Sequence, residues 1–181
     1  PRKTSEAPLV RAVPMTASLY AALMRQGFRR SGNHVYRPHC AGCQACIPVR
    51  IPVAQFQPNR SQRRNLARNT ELSVRWLPAR LGDREYDLYE RYINSRHADG
   101  DMFPPDREQA SQFLLSDWAE TRLLGLFRGD QPVAILVADL ADDGLSAVYS
   151  FFDPDEAPRG LGVRLVLALI DETRAAGLPY V

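Results

Sequence analysis

Residues 121–181 read TRLLGLFRGDQPVAILVADLADDGLSAVYSFFDPDEAPRGLGVRLVLALIDETRAAGLPYV, and this stretch decides the fold. Three short apolar runs, Thr121–Phe127, Pro132–Leu140 and Ser146–Phe152, are separated by Gly129-Asp130 and by Asp142-Asp143-Gly144. Punctuation of this kind predicts three consecutive antiparallel strands joined by tight turns. Asp153-Pro154 ends the third. From Gly160 to Ala176 the spacing changes: Leu161, Leu165, Ala168 and Glu172 recur every three or four residues, which predicts a helix closed by Gly177. Leu178-Pro179-Tyr180-Val181 then begins a further strand.

Upstream, Asp83 to Arg96 reads as a helix with Tyr86, Tyr89 and Ile93 along one face, broken by Ala98-Asp99-Gly100-Asp101. Pro104-Pro105-Asp106 opens another that runs to about Leu115. Leu72 to Leu77 is a strand. Ser61 is expected to cap a short basic helix, Gln62 to Asn69. Ile47 to Val53 alternates with period two, and its prolines restrict it to an edge or irregular strand. Phe28 to Tyr36 is a hairpin turning at Ser31-Gly32-Asn33, and Thr16 to Gln26 a short helix ending at Gly27. Helix, helix, hairpin, strand, helix, strand is the order of the acetyltransferase-like (GNAT) α/β fold. The expected architecture is a GNAT-like mixed sheet with flanking helices, residues 81–181 and incomplete at its C-terminal side. A smaller basic, cysteine-containing region, residues 1–80, precedes it.

Hydrophobic content of 45% over 181 residues supports a real core. No apolar run approaches the ~20 residues of a membrane helix, so no membrane partner is expected. The net charge of +2 hides a segregation. Residues 1–80 carry 14 Lys and Arg against two acids, and residues 81–181 carry 9 Arg against 19 acids. A basic half of this kind suits a polyanion such as RNA. Nearly all of the positive charge is arginine, which binds phosphate bidentately.

All three cysteines lie in one turn, Cys40, Cys43 and Cys46. Two-residue spacing aims thiolates at one tetrahedral centre, so zinc or an iron–sulfur cluster is a candidate ligand. No second Cys-x-x-Cys or His-x-x-x-His supplies the missing fourth ligand; His39 and His34 are the histidines nearby. Three unligated thiols are the alternative. An odd count in one cluster argues against a secreted disulfide framework and for a reducing, cytoplasmic setting.

Several blocks carry a family resemblance: Gly27-Phe28-Arg29-Arg30-Ser31-Gly32, Tyr36-Arg37-Pro38-His39-Cys40, Cys43-x-x-Cys46-Ile47-Pro48-Val49-Arg50, Asn59-Arg60-Ser61-Gln62-Arg63-Arg64, Ser95-Arg96-His97-Ala98-Asp99-Gly100-Asp101-Met102, and Leu145 to Pro154. Together they resemble the bacterial aspartate/glutamate leucyltransferases, relatives of the eukaryotic arginyl-tRNA–protein transferases. The resemblance runs from about Met15 to the C-terminus. It implies an enzyme that moves leucine from leucyl-tRNA to the α-amino group of proteins beginning with Asp or Glu, creating an N-terminal degradation signal. The family pattern also has an N-terminal segment with a further cysteine and a Tyr/Lys-rich C-terminal segment. Neither stands in this sequence, so the resemblance reads the chain as truncated at both ends.

The chemistry is undemanding. An aminoacyl-tRNA is already an activated ester, so no cofactor is required for catalysis. The enzyme must align amine and ester, stabilise the oxyanion and protonate the leaving 3′ oxygen. Candidate catalytic groups are Tyr149 and Ser150 on the third strand and His97 after the tyrosine-faced helix. Arg96 suits the acidic acceptor side chain, Asp99 or Asp101 its ammonium group, and Phe152 and Asp153 border the same strand end. For RNA, Arg60, Arg64 and Arg68 recur every four residues on one face, with Arg63 adjacent. Arg159-Gly160-Leu161-Gly162 opens the last helix, where backbone N–H groups can cradle phosphate. Arg164 replaces the small residue that a coenzyme A site uses there. Two other classes compete: a GNAT N-acetyltransferase using acetyl-CoA, and a non-catalytic zinc-knuckle RNA-binding module. Each residue named also has a plainer reading, as strand tyrosine, capping acid or solvated charge.

Overall fold

The computed structural model describes residues 14–39 and 41–181. Cys40 lies outside the described residues. Helix α1 (Ala17–Met24) starts at Thr16, whose hydroxyl accepts the Leu19 N–H at 3.2 Å. The hairpin β1 (Arg29–Ser31) and β2 (His34–Tyr36) turns at Gly32-Asn33 as expected. Gly32 has φ +57°, and a Cβ there would strike the Gln112 carbonyl oxygen at 1.9 Å, so only glycine fits this turn against its neighbour.

Two local expectations are corrected. Residues 47–53 form no strand; Pro52 makes one isolated antiparallel bridge to Tyr180, flanked by Ile51 N–H to Val181 O (2.7 Å) and Val53 N–H to Pro179 O (3.0 Å). Pro48 and Pro52 lack the donors that a ladder needs. Helix α2 (Arg60–Arg68) is capped two residues before the expected Ser61. Asn59 forms a capping box instead: its side chain accepts the Gln62 N–H at 2.9 Å while Gln62 accepts the Asn59 N–H at 2.8 Å.

The main sheet has four strands in the order β3 (Ser73–Leu77), β4 (Thr121–Arg128), β5 (Gln131–Ala141), β6 (Gly144–Phe152), antiparallel at every pairing. A single parallel bridge, Gly144 to Tyr180, adds the mixed character. Helices α3 (Asp83–Arg96) and α4 (Arg107–Leu114) cover one face, where Leu88, Tyr89, Ile93 and Leu114 pack on Leu123, Ile135, Val137 and Phe151. Helix α5 (Leu161–Ala175) covers the other, with Leu161, Leu165, Ala168 and Leu169 against Leu124, Leu126, Leu136 and Ala138. Alternation along each strand therefore feeds two cores, one per face.

The basic region is fastened to this sheet. Arg30, on β1, is buried against Asp139 of β5: Nε to Oδ2 is 2.5 Å and Nη2 to Oδ1 is 2.7 Å, with the side chains 0% and 1% exposed. Arg30 also donates to the Leu114 carbonyl at 3.0 Å, and Thr121 Oγ1 donates to Asp139 at 2.7 Å. Strand β3, also drawn from residues 1–80, is an edge of the sheet. Among the described residues no helix is long and apolar enough to cross a membrane.

Candidate functional site

Strand β6 is where the candidate chemistry gathers. Its inner edge pairs with β5, but between the pairs Val137–Tyr149 and Ala138–Ala147 the register slips, leaving Val148 as an unpaired bulge residue. Beyond the contact with Tyr180 at Gly144 and Leu145, no strand covers its outer edge among the described residues. A bulge bends the strand and re-aims side chains, and such features concentrate beside active sites. Here it turns both Val148 and Tyr149 toward the face that carries α3 and α4.

Tyr149 packs edge-on against Phe113, ring centroids 5.1 Å apart. Its hydroxyl is buried and has no hydrogen-bond partner within the described residues. Burial raises its pKa, and the nearby Tyr92 and Tyr89 add to the effect. The phenol therefore keeps its proton and has one donor to offer. Ser150 is half-buried on the same strand, opposite Leu136.

At the C-terminal end of β6 a second group forms around α3. Tyr92 lies edge-on to Phe152 at 5.0 Å and to His97 at 5.3 Å, and its hydroxyl is 3.4 Å from His97 Nε2. The Arg96 guanidinium stands 5.7 Å from the Phe152 ring centroid, with no carboxylate partner among the described residues. So the adjacent Arg96 and His97 share one place with Phe152, which is distant in sequence. Asp99 and Asp101 are exposed in the turn that follows. Asp153 is already engaged: Arg91 grips both its oxygens at 3.0 and 2.9 Å, and it accepts the Asp155 N–H at 3.1 Å. Tyr92 and Arg91 are absent from the sequence-derived site. Their signal was helical spacing, since Tyr92 follows Tyr89 by three residues and precedes Arg96 by four.

The expected RNA-binding residues form a third group on the opposite face of the sheet. Helix α2 packs on the junction between a 3₁₀ turn (Pro154–Arg159) and α5. Asn65 donates to the Arg159 and Gly160 carbonyls at 3.0 and 2.9 Å, and Arg68 to the Pro158 carbonyl at 2.5 Å. Gly160 has φ +65°, and a Cβ there would lie 2.8 Å from the Asn65 amide nitrogen. Arg159 bonds Asn69 at 3.0 Å and the Arg68 carbonyl at 2.7 Å, and pairs with Glu71. Its guanidinium is thus held within the chain. Arg63 donates to the Pro58 carbonyl at 2.6 Å. Arg60 and Arg64 are exposed and have no partner among the described residues. Two guanidinium nitrogens of Arg164 are buried without a partner, and burial lowers its pKa. Gly162, in the first turn of α5, lies beside the Phe152 ring.

Cys43 and Cys46 are free and exposed. The described residues hold no group of three or more His, Cys, Asp or Glu side chains that could bind a metal, and no cofactor site is evident among them.

Comparison with known proteins gives the family. The model for the N terminus of arginine-tRNA-protein transferase matches residues 1–64, and that for its C terminus matches residues 84–181. An aspartate/glutamate leucyltransferase from Pseudomonas fluorescens (strain Pf0-1) is 49% identical over 168 residues, covering 93% of this chain and 72% of that protein. One from Pseudomonas aeruginosa (strain UCBPP-PA14) is 52% identical over 173 residues, with the same two coverages. One from Teredinibacter turnerae is 51% identical over 166 residues, covering 91% and 68%. A crystal structure of a C-terminal DUF2156 domain from Agrobacterium fabrum superposes with a TM-score of 0.52 at 15% identity, over 72% of this chain and 43% of that one, a likeness of fold alone. With both halves of the transferase model matched and half of all residues identical to curated members, the chain belongs to the aspartate/glutamate leucyltransferase family.

Proposed function

We propose that this chain is an aminoacyltransferase that moves leucine from leucyl-tRNA to the N-terminal Asp or Glu of proteins, marking them for N-end rule degradation in the cytoplasm. The observation that carries the reading is the match to named leucyltransferases at about half identity along 93% of the chain. The acceptor amine attacks the ester carbonyl, the C–O bond to the ribose 3′ oxygen breaks as the amide forms, and one proton passes from the amine to that oxygen. Nothing is oxidised and no cofactor enters.

The geometry supports a division of labour along β6. Tyr149 offers its unpaired phenol proton to the carbonyl oxygen as charge develops, with Ser150 as a second donor. His97, in contact with Tyr92, takes the amine proton. Arg96 receives the acidic acceptor side chain; Asp99 and Asp101 hold the ammonium group before it is deprotonated; Phe152 and the Arg91-bound Asp153 form the floor. On the opposite face Arg60, Arg63, Arg64 and Arg68 take phosphates of the acceptor stem, beside Arg159, Gly160, Gly162 and Arg164. The test is transfer of radiolabelled leucine from charged tRNA to peptides beginning with Asp, Glu or Arg. Transfer to the first two alone is expected. Turnover of acetyl-CoA in the absence of tRNA, or failure of transfer with every peptide, would refute the reading.

A further inference from the structure

A well-formed cavity is lined by none of the residues assigned above. It is about 470 Å³ in volume and sits against the first half of β6, between the α1–hairpin region and the extended segment before Pro52. Its walls are apolar and aromatic, including Met24, Phe28, Tyr36, Ile47, Val49 and the bulged Val148. Ile47 and Val49 are 73% and 77% exposed, the most exposed of the large hydrophobic side chains described. Exposed apolar surface beside a cavity marks a place where something binds.

The rim is cationic. Arg25, Arg29 and Arg50 line it with Asp143 as the acid among them. Asp143 Oδ2 is shared by Arg50 at 2.5 Å and Arg25 at 3.3 Å, and Arg50 also stacks on the Tyr180 ring at 3.9 Å. Arg29 is exposed and has no partner among the described residues. Arg30 also borders the cavity, but Asp139 neutralises it. Three guanidinium groups against one carboxylate leave an excess of positive charge around an apolar interior.

We infer that this cavity holds the aminoacylated 3′-terminal nucleotide of the donor tRNA: the leucyl side chain on the Ile47–Val49 wall, the base against Phe28 and Tyr36, and its phosphate on Arg29. The placement rests on the transfer reaction proposed above. A leucine side chain alone would leave most of such a volume empty, and pockets of roughly 300–1,000 Å³ hold ligands of nucleoside size or larger. Aromatic side chains stack unpaired bases whatever their identity. An acidic peptide terminus suits the apolar walls poorly, and the unpaired Arg96 stands at the other end of β6 for it. Val148 lines this cavity, and Tyr149, with its unpartnered phenol, is the next residue along β6 in the direction of Phe152 and Arg96.

Two variants on exposed positions test this with the full chain. Arg29→Ala removes the unpaired rim cation, and Val49→Asp places a carboxylate on the apolar wall. Steady-state transfer is measured with leucyl-tRNA and acceptor peptide varied separately. Binding is measured by titrating 3′-leucylamido-3′-deoxyadenosine 5′-phosphate, in which an amide replaces the labile ester. Arg29→Ala should raise KM for leucyl-tRNA about tenfold and reduce the slope of log affinity against log salt by about 0.7, one single-strand phosphate contact. Val49→Asp should abolish analogue binding. KM for the acceptor peptide should stay unchanged in both. Wild-type transfer with unaltered donor KM and analogue affinity in the variants would overturn the placement while leaving the reaction standing. So would a rise in acceptor KM alone. A wild-type chain that binds the analogue but transfers no leucine would instead refute the reaction and leave the site standing.

Discussion

Replacing Arg30 by Met should be among the most damaging single changes available in this chain. The side chain is of similar length, so packing volume is nearly kept while the charge and three donor groups are lost. Asp139 would remain ionisable, 1% exposed, with Thr121 as its one remaining side-chain donor. Removing one partner of a buried ion pair costs about 3–5 kcal/mol, because the other charge is left uncompensated. The Leu114 carbonyl also loses its donor from Arg30, about 1 kcal/mol more. For a chain of this size, each kcal/mol lowers Tm by about 2–4 °C. Arg30→Met should therefore lower Tm by roughly 8 °C or more. The companion variant is Arg30→Met/Asp139→Leu. It removes both charges, so only the orphaned carbonyl and hydroxyl remain, and it should lie within about 2 kcal/mol of the parent. Urea denaturation read by circular dichroism gives both values. Trp118 fluorescence gives a local readout, since that indole packs edge-on to Tyr20, 5.0 Å away beside the hairpin. A single variant within 1 kcal/mol of the parent, or a double variant as unstable as the single, would refute the reasoning.

Three further outcomes are expected. Tyr149→Phe should leave stability unchanged or slightly raised, because it deletes a buried hydroxyl that has no partner, yet should lower kcat for leucine transfer about 100-fold if that hydroxyl serves the oxyanion; stopped transfer assays beside a thermal melt separate the two effects. Asn59→Ala should cost about 1 kcal/mol by opening the capping box of α2, read as a downward shift of the urea midpoint with unchanged slope. For Asp143, burial pulls the pKa up but the Arg50 and Arg25 hydrogen bonds outweigh it, so the folded value lies below the ordinary one. Its contribution is therefore present above about pH 3.9 and lost as pH falls through the lowered folded value. The carboxylate is 31% exposed, so screening keeps this to a few tenths of a kcal/mol. Asp143→Asn should cost that amount near pH 7, and its difference from the parent should fade as pH drops below about 4 and the parent's carboxyl is protonated, as measured by urea titrations from neutral pH into the acid range.

What could be read from the chain follows physical range. The helix Asp83–Arg96 and the strands around Gly129 and Asp142–Gly144 were legible because their periodicity and turn residues are local. The start of α2 was displaced because Asn59 and Ser61 are both good caps, and only the reciprocal bond from Gln62 decides between them. The alternation of 47–53, with its prolines, reads as an edge or irregular strand, and the missing N–H donors of Pro48 and Pro52 reduce it to a single bridge with Tyr180. Arg30 looked like one more cation of a basic half; its partner stands 109 residues away and no local pattern points to it. For the candidate site, Tyr149, His97 and Arg96 were visible as polar residues in an unusual context. Their relation through Tyr92 and Phe152 was not, because it arises only when α3 lies across the end of β6.

The pairing of Arg30 with Asp139 also sets an order in time. A ribosome adds about 5–20 residues each second, so the hairpin leaves the exit tunnel several seconds before the strand that neutralises it has been made. Throughout that interval the emerging segment is strongly basic and without its buried counter-charge, in the immediate company of ribosomal RNA. The hairpin can take its native place on the sheet only after Asp139 has been made, so its docking is timed by the second half of the chain rather than by the first.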